Sequence, residues 1–519
     1  MKVHLMSPEG DLDPGAALPS NHQELAEDLD LATLWEAMAK GDKFLLEVAR
    51  AALLASLPDL ASIRHRQQVL GELMAQPEVA AEIYAIAVTA VEGERRIWGY
   101  IRATPSGLLH RAIEVLQLFL GLLKRLRQIA DGPGALFESP GLAAFFQMLS
   151  RELDDGFFAA ADQHLRRLRA PEKMLISARL GEGSRGIDYV LRAAGNSRPG
   201  WRERIGIGER SAYSFSIPAR DEAGARALSE LTDRGVNPVA NALTQSTDHI
   251  LSFFTQLRLE LGFYVGCLNL QARLQGQGQP VVIPAAAAWS PAGALSYSGL
   301  YDPCLALRLP PGEAVGNDGA ADGKSLVLIT GANSGGKSTF LRSVGVAQLM
   351  LQAGMFVAAR AYRGSLVAGL FTHFLREEDQ TMTGGRLDED LRRMAVIADL
   401  VKPHSLILFN ESFSATNERE GSEIARQIIK ALLEADIRIF FVTHFFELAD
   451  SLLAAGREDV LALLAERRAD GQRSFKLRPG APLPIAYGED LYRTVFAGSG
   501  RPSPADQGPH AQAPHPPDH

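Results

Sequence analysis

The chain has 519 residues, 46% apolar and 22% charged, with a formal net charge of −8 and a pI near 5.9. That length makes room for roughly two to four domains. The acidic balance excludes a uniformly basic nucleic-acid coat, though not a local basic patch. Two cysteines, Cys267 and Cys304, exclude a disulfide framework and fit a reducing, cytoplasmic setting.

Residues 1–22 are punctuated by Pro and Gly and read as an extended lead-in. Their opening, "MKVHLMSPEGDLDPG", lacks the apolar core of a signal peptide. No uninterrupted apolar run is long enough to span a bilayer, so no membrane partner is expected. Residues 23–170 read as helical. Within them "RAIEVLQLFLGLLKRLRQIA" places Leu116, Phe119, Leu120, Leu123 and Leu126 on one face, and "DGPG" at Asp131–Gly134 bounds that helix. The period changes over residues 171–220. There "KMLISARL", "GIDYVLRAA" and "SAYSFSIPA" predict a small antiparallel insertion. Helices return over residues 221–279. From 280 to 497 strand-like and helical runs alternate, which predicts an α/β domain with a largely parallel sheet. Residues 498–519 are Pro-rich and predicted to be disordered; His510, His515 and His519 in that tail have no fixed geometry for a metal.

The strongest chemical signal is "LVLITGANSGGKST". It fits G-x-x-x-x-G-K-[ST] from Gly331 to Ser338, between an apolar strand and a helix. Glycines let the backbone wrap phosphates with its N–H groups, and the helix N-terminus adds a favourable dipole. The expected ATP-binding set is Gly331, Ala332, Asn333, Ser334, Gly335, Gly336, Lys337, Ser338 and Thr339. Lys337 is expected on the β/γ-phosphates and Ser338 on Mg²⁺.

"SLILFNES" then carries Asn410 and Glu411 to the end of a strand, where ligands sit in open α/β sheets. Glu411 is the expected general base for the attacking water. "IRIFFVTH" ends in His444, which is expected on the γ-phosphate or that water, or as a cap on the strand end. Asn410 stands where an aspartate would give Mg²⁺-bound water a charged acceptor. An amide oxygen accepts the same bond without the charge. Two outcomes stay open: slow turnover, or binding without hydrolysis.

Several segments resemble the MutS family of DNA mismatch-repair ATPases. "TGANSGGKST" is similar to the MutS TGPNMGGKST loop, and "THFFEL" at Thr443–Leu448 to THYFEL. "GNDGA", "AGMFVAA", "LFTHFLREED" and "PLPIAYGEDLYRTVFA" follow the family's order, and "IRHRQQVL" at Ile63–Leu70 is similar to the start of the MutS lever. The resemblance implies an all-α lever with a β-rich clamp insertion, followed by an ABC/MutS-type P-loop ATPase domain. It also implies ATP and Mg²⁺ as cofactors, composite sites in a homodimer, double-stranded DNA between lever and clamp, and a MutL-like repair partner. By the same likeness Glu411 takes the Walker B glutamate role and His444 the switch-histidine role. The chain departs from the family at Asn410. It departs again in "TMTGGRLDEDLRRM", where Thr383, Gly384, Gly385 and Arg386 are loose equivalents of the loop that completes the partner's site. The lever-like text begins by about residue 60, which leaves no room for a mismatch-reading domain and its Phe wedge, nor for a connector.

From His164 to Arg220 the sequence has twelve Lys or Arg against five acids. The insertion is thus the electropositive end, with Arg185, Arg198, Trp201, Arg202 and Arg204 as candidate DNA contacts, or else a solvated arginine-rich face. The sequence therefore predicts a DNA-dependent ATPase that recognises mismatched or branched DNA by structure. The alternative is a nucleotide-gated scaffold that holds a protein partner.

Overall fold

The computed structural model describes residues 1–483 except 11, 14, 16, 99–103, 170–174, 193–215, 219, 291–292, 377–384 and 468–472. The chain forms two compact units. One comprises Met1–Ala17, Trp35–Ala52 and Ala61–Leu270; the other comprises Leu18–Leu34, Leu53–Leu60 and the chain from Gln271 onward.

In chain order the first helices are α1 (His22–Asp28), α2 (Leu31–Ala39), α3 (Lys43–Leu54), α4 (Leu60–Ala75), α5 (Pro77–Trp98), α6 (Pro105–Asp131), α7 (Pro140–Glu152) and α8 (Asp155–Arg169). The hairpin β1 (Leu175–Leu180) and β2 (Gly186–Arg192) follows, and then α9 (Glu222–Gly276). Helix α6 starts where Thr104 accepts a hydrogen bond from the Gly107 N–H and Pro105 supplies a preset φ. Its Leu116, Phe119, Leu120, Leu123 and Leu126 are all buried, as the 3.6-residue spacing predicts. Phe119 meets Phe254 of α9 at 5.4 Å between ring centroids. By length and composition α6, carried on to Leu136, could cross a membrane, although charged residues interrupt its apolar text; half of its most apolar window is buried in protein. Strands β1 and β2 pair antiparallel, and their turn uses Gly183 at φ 68°. Most of "SAYSFSIPA" lies outside the described residues. Helix α9 runs for 55 residues through Pro238.

The lead-in is extended but not loose. Val3, Leu5 and Met6 are buried. The Glu260 carboxylate accepts from Leu5 N at 2.6 Å and Met6 N at 3.1 Å, and Tyr264 Oη donates to Leu5 O at 2.6 Å.

The second unit contains β3 (Ala285–Ala287), β4 (Leu295–Leu300), α10 (Pro303–Ala306), β5 (Asn317–Ala320), β6 (Leu326–Thr330) and α11 (Lys337–Gln352). It continues with β7 (Ala361–Ser365), β8 (Leu370–Phe374), α12 (Arg386–Leu400), β9 (Leu406–Asn410) and α13 (Glu418–Glu434). It closes with β10 (Arg438–Val442), α14 (Phe446–Ala454), β11 (Val460–Arg467) and β12 (Arg473–Pro479). A six-stranded sheet has the order β12-β11-β6-β10-β9-β8, parallel throughout except for β12. A second sheet has the order β3-β7-β4-β5. Strands β6, β8, β9 and β10 are almost wholly buried, which is what covering both faces of a parallel sheet requires. Helices α12, α13 and α14 supply Met394, Ile397, Ile429 and Leu448 to the core on one face. Helix α11 packs close enough that a Cβ on Gly345 would meet Leu408 at 2.7 Å and Leu29 at 2.8 Å.

Residues 18–34 and 53–60, which the sequence divides between the lead-in and the first helical block, cluster with this unit. Asn21 Nδ2 donates to Leu370 O at 2.8 Å, and Leu57 N donates to Gln352 O at 2.9 Å.

Candidate functional site

Strand β6 delivers the chain to Gly331, whose φ is 116°, and the loop turns again at Ser334 (φ 56°) and Gly336 (φ 89°). These glycines are needed: a Cβ on Gly331 would lie 2.9 Å from that of Ala465, and one on Gly336 would lie 3.1 Å from Phe475 O. Gly336 then caps the N-terminus of α11.

Lys337 is only 4% exposed. Its Nζ donates to Gly331 O at 2.9 Å and Ala332 O at 3.1 Å, folding the side chain back over its own loop. Burial lowers the pKa of this ammonium; the nearby Glu411 carboxylate opposes the shift and Arg473 adds to it. Ser338 Oγ donates to Asn410 Oδ1 at 2.8 Å. The two residues expected around one cation thus already share a hydrogen bond.

Pairing places the other candidates at the same sheet edge. Val442 of β10 is in register with both Asn410 of β9 and Ile329 of β6. Glu411 N donates to Val442 O at 2.9 Å, and Thr443 N to Ile329 O at 3.1 Å. Glu411 itself has φ 54°. This left-handed backbone is costly for a non-glycine residue and turns the chain sharply at the strand's end.

A cavity of about 520 Å³ opens beside the loop, lined by Ser334–Thr339 and Glu411. That volume suits a whole small-molecule ligand. Gly331, Ala332 and Asn333 shape the loop without lining the cavity. Asn410 reaches it through Ser338. His444 lies two residues past the end of β10, is exposed, packs edge-on against Phe445, and does not line the cavity. The apolar lining is Leu305, Leu309, Val315 and Phe475, none of which the sequence singles out. Their signal was weak: three lie in the turn-rich run before β5, and Phe475 sits on an edge strand at φ 56°.

Behind Glu411, Ser412 is tied to His373 on β8. Their Oγ and Nδ1 atoms are 2.7 Å apart, and His373 Nε2 lies 3.0 Å from Asp390 O on α12. Since a carbonyl only accepts, Nε2 carries the proton. Burial, assisted by the Arg393 charge, lowers the His373 pKa to about 4, so the ring is neutral.

Of the expected DNA contacts, Arg185 is exposed beside the hairpin turn. Arg198, Trp201, Arg202 and Arg204 lie outside the described residues, as do Thr383, Gly384, most of "PLPIAYGEDLYRTVFA" and the tail. Gly385 stands at the N-cap of α12, and Arg386 Nη2 donates to Arg376 O at 3.3 Å. Among the described residues no group of three or more His, Cys, Asp or Glu side chains could hold a metal.

Comparison with known proteins converges on the same assignment from both ends of the chain. Residues 58–277 match the MutS2 N-terminal domain, and residues 327–474 match MutS domain V. The chain belongs to the MutS family. It is similar to the endonuclease MutS2 of Thermus thermophilus, 34% identical over 153 residues, which cover 28% of this chain and 20% of that protein. The DNA mismatch repair protein MutS of Thermus aquaticus is 33% identical over 169 residues, 32% of this chain and 20% of its own length. MutS protein homolog 4 of Mus musculus is 32% identical over 127 residues, 24% of this chain and 13% of its own. The MutS-family chain therefore matches about a fifth or less of the length of these curated relatives.

Proposed function

We propose that this MutS-family chain is an ATP-binding and ATP-hydrolysing DNA-binding protein of mismatch repair or a related repair process. The reading rests on one observation above others. A phosphate loop, its buried lysine, the Ser338–Asn410 pair and Glu411 converge on one cavity at the carboxyl edge of parallel strands.

Phosphate oxygens are better acceptors for an ammonium than the Gly331 and Ala332 carbonyls, so Lys337 swings onto the triphosphate. The base and ribose of ATP fit the wall of Leu305, Leu309, Val315 and Phe475. Glu411 orients water for attack on the γ-phosphorus and accepts its proton as the bond to the bridging oxygen breaks. Mg²⁺ fits the oxygen pair present: Ser338 Oγ would hold it directly and Asn410 Oδ1 through water. It supplies charge neutralisation on the phosphates. His444 serves the γ-phosphate end once a partner subunit or nucleotide reorganises that edge.

In this reading the helices of residues 23–170 and 221–279 are a lever, residues 171–220 are a clamp, and residues 280–497 are the ATPase domain. Two copies close around mismatched or branched DNA when ATP binds and reopen after hydrolysis. Their contacts are with phosphate, so selectivity comes from DNA shape. A MutL-like protein is the expected repair partner. Asn410 favours a second reading, a nucleotide-gated scaffold with little turnover. The two separate in Glu411→Gln: an ATPase loses turnover while still binding ATP, whereas a scaffold shows no turnover to lose.

A further inference from the structure

At the amino edge of the same six-stranded sheet lies a second cavity, of about 160 Å³. It sits where Ser325, Ser405 and Arg438 stand at the starts of β6, β9 and β10. This is the opposite edge from the phosphate loop.

Its polar groups are poorly matched by protein. Arg438 is largely buried, yet among the described residues no carboxylate comes within ion-pair distance of it. One nitrogen, Nη2, donates to Ala321 O, while Nε is buried without a partner. Asp322 is occupied by Leu295 N at 2.8 Å and by Arg363 at 3.9 Å, and Asp436 is exposed on the rim. Ser405 is 1% exposed with an unpaired Oγ, and His404 Nδ1 is also buried and unpaired. Lys324, whose Nζ donates to Glu458 O at 2.5 Å, brings a second positive charge to the lining. Trp289 covers His404 with a tilted ring contact.

An unpaired buried hydroxyl and a buried guanidinium without an ion-pair partner are each costly, and both belong to residues that line one cavity, which favours an acceptor with negative charge there. The volume holds several waters but is too small for a nucleotide. We propose that this cavity is a binding site for a small free oxyanion of the inorganic phosphate class, with Arg438, Lys324 and Ser405 as donors. The planar fork of Arg438 suits two oxygens of one anion, and Ser405 Oγ–H a third.

The test is a calorimetric titration of inorganic phosphate into the full chain carrying Lys337→Ala, which removes binding at the phosphate loop. One saturating site per chain is expected. Its affinity should fall at least tenfold in Arg438→Gln and also in Ser405→Ala, and should be unchanged in Glu411→Gln. Acetate should compete weakly. Because Arg438 is buried, Lys324→Ala at the rim serves as a variant that leaves folding intact, and it too should weaken binding. Absence of a saturating heat would overturn the proposal. So would binding indifferent to Lys324, Ser405 and Arg438, which would mark an adventitious ion only and leave Arg438 as a cation held over the face of Phe440.

Discussion

Asn410 is the residue on which the proposed turnover would depend. It accepts from Ser338 Oγ at 2.8 Å without adding charge. Hydrogen bonds to ionised acceptors are about twice as strong as neutral ones, a difference of about 1 kcal/mol. Asn410→Asp should therefore tighten Mg²⁺ in the nucleotide complex by roughly five- to tenfold and raise the hydrolysis rate in step. Titrating Mg²⁺ into both proteins under steady-state conditions measures this, and equal Mg²⁺ curves would refute it. His373 gives a pH prediction. Its pKa is lowered to about 4 by burial, below the roughly 6.5 of an unfolded histidine. The unfolded chain then binds the extra proton first as pH falls. The contribution to stability is intact above about 6.5 and erodes as pH drops towards 4. Between pH 7 and pH 5 the loss from this group should be roughly 2 kcal/mol. Urea melts at the two pH values should show that increment in the parent and not in His373→Phe.

At the scale of elements, a buried acid anchors the lead-in. Glu260 accepts from Leu5 N, Met6 N and, at 3.4 Å, Leu12 N. Glu260→Leu leaves these donors unpaired and should cost roughly 3–5 kcal/mol, whereas Glu260→Gln keeps an acceptor and should cost about 1 kcal/mol. Denaturant unfolding of the helical unit distinguishes the two. Glu260 was not legible in the sequence: it sits in a long amphipathic pattern, and only the fold brings residues 5 and 260 together. The elements themselves were far more legible. The strand before Gly331, the helix after Lys337 and the stripe on α6 follow from period and punctuation, because burial on one face repeats at the period of the element. The glycine-rich loop between strand and helix was readable because its pattern is local and contiguous. The wall of Leu305, Leu309, Val315 and Phe475 was not, because it is assembled from distant segments with no spacing of their own. The grouping of residues 18–34 and 53–60 with the α/β unit was not legible for the same reason, as long-range pairing leaves no local pattern.

At the scale of the whole molecule, the account joins a nucleotide switch to a DNA grip. If the basic insertion holds phosphates, affinity for duplex must fall steeply with salt. Replacing Arg185, Arg198, Arg202 or Arg204 by Ala should each weaken binding across all sequences and reduce the salt slope by about one. Binding isotherms at several salt concentrations measure both, and unchanged slopes would return these arginines to a solvated face.

The most direct test of the central claim is the steady-state rate of ATP hydrolysis, measured without DNA and with homoduplex, mismatched duplex and a branched junction. The account predicts a rate above background that one DNA form changes, and that Glu411→Gln lowers by roughly a hundredfold or more while ATP still binds. A background rate in all four conditions, with ATP bound and Glu411→Gln indistinguishable from the parent, would contradict it.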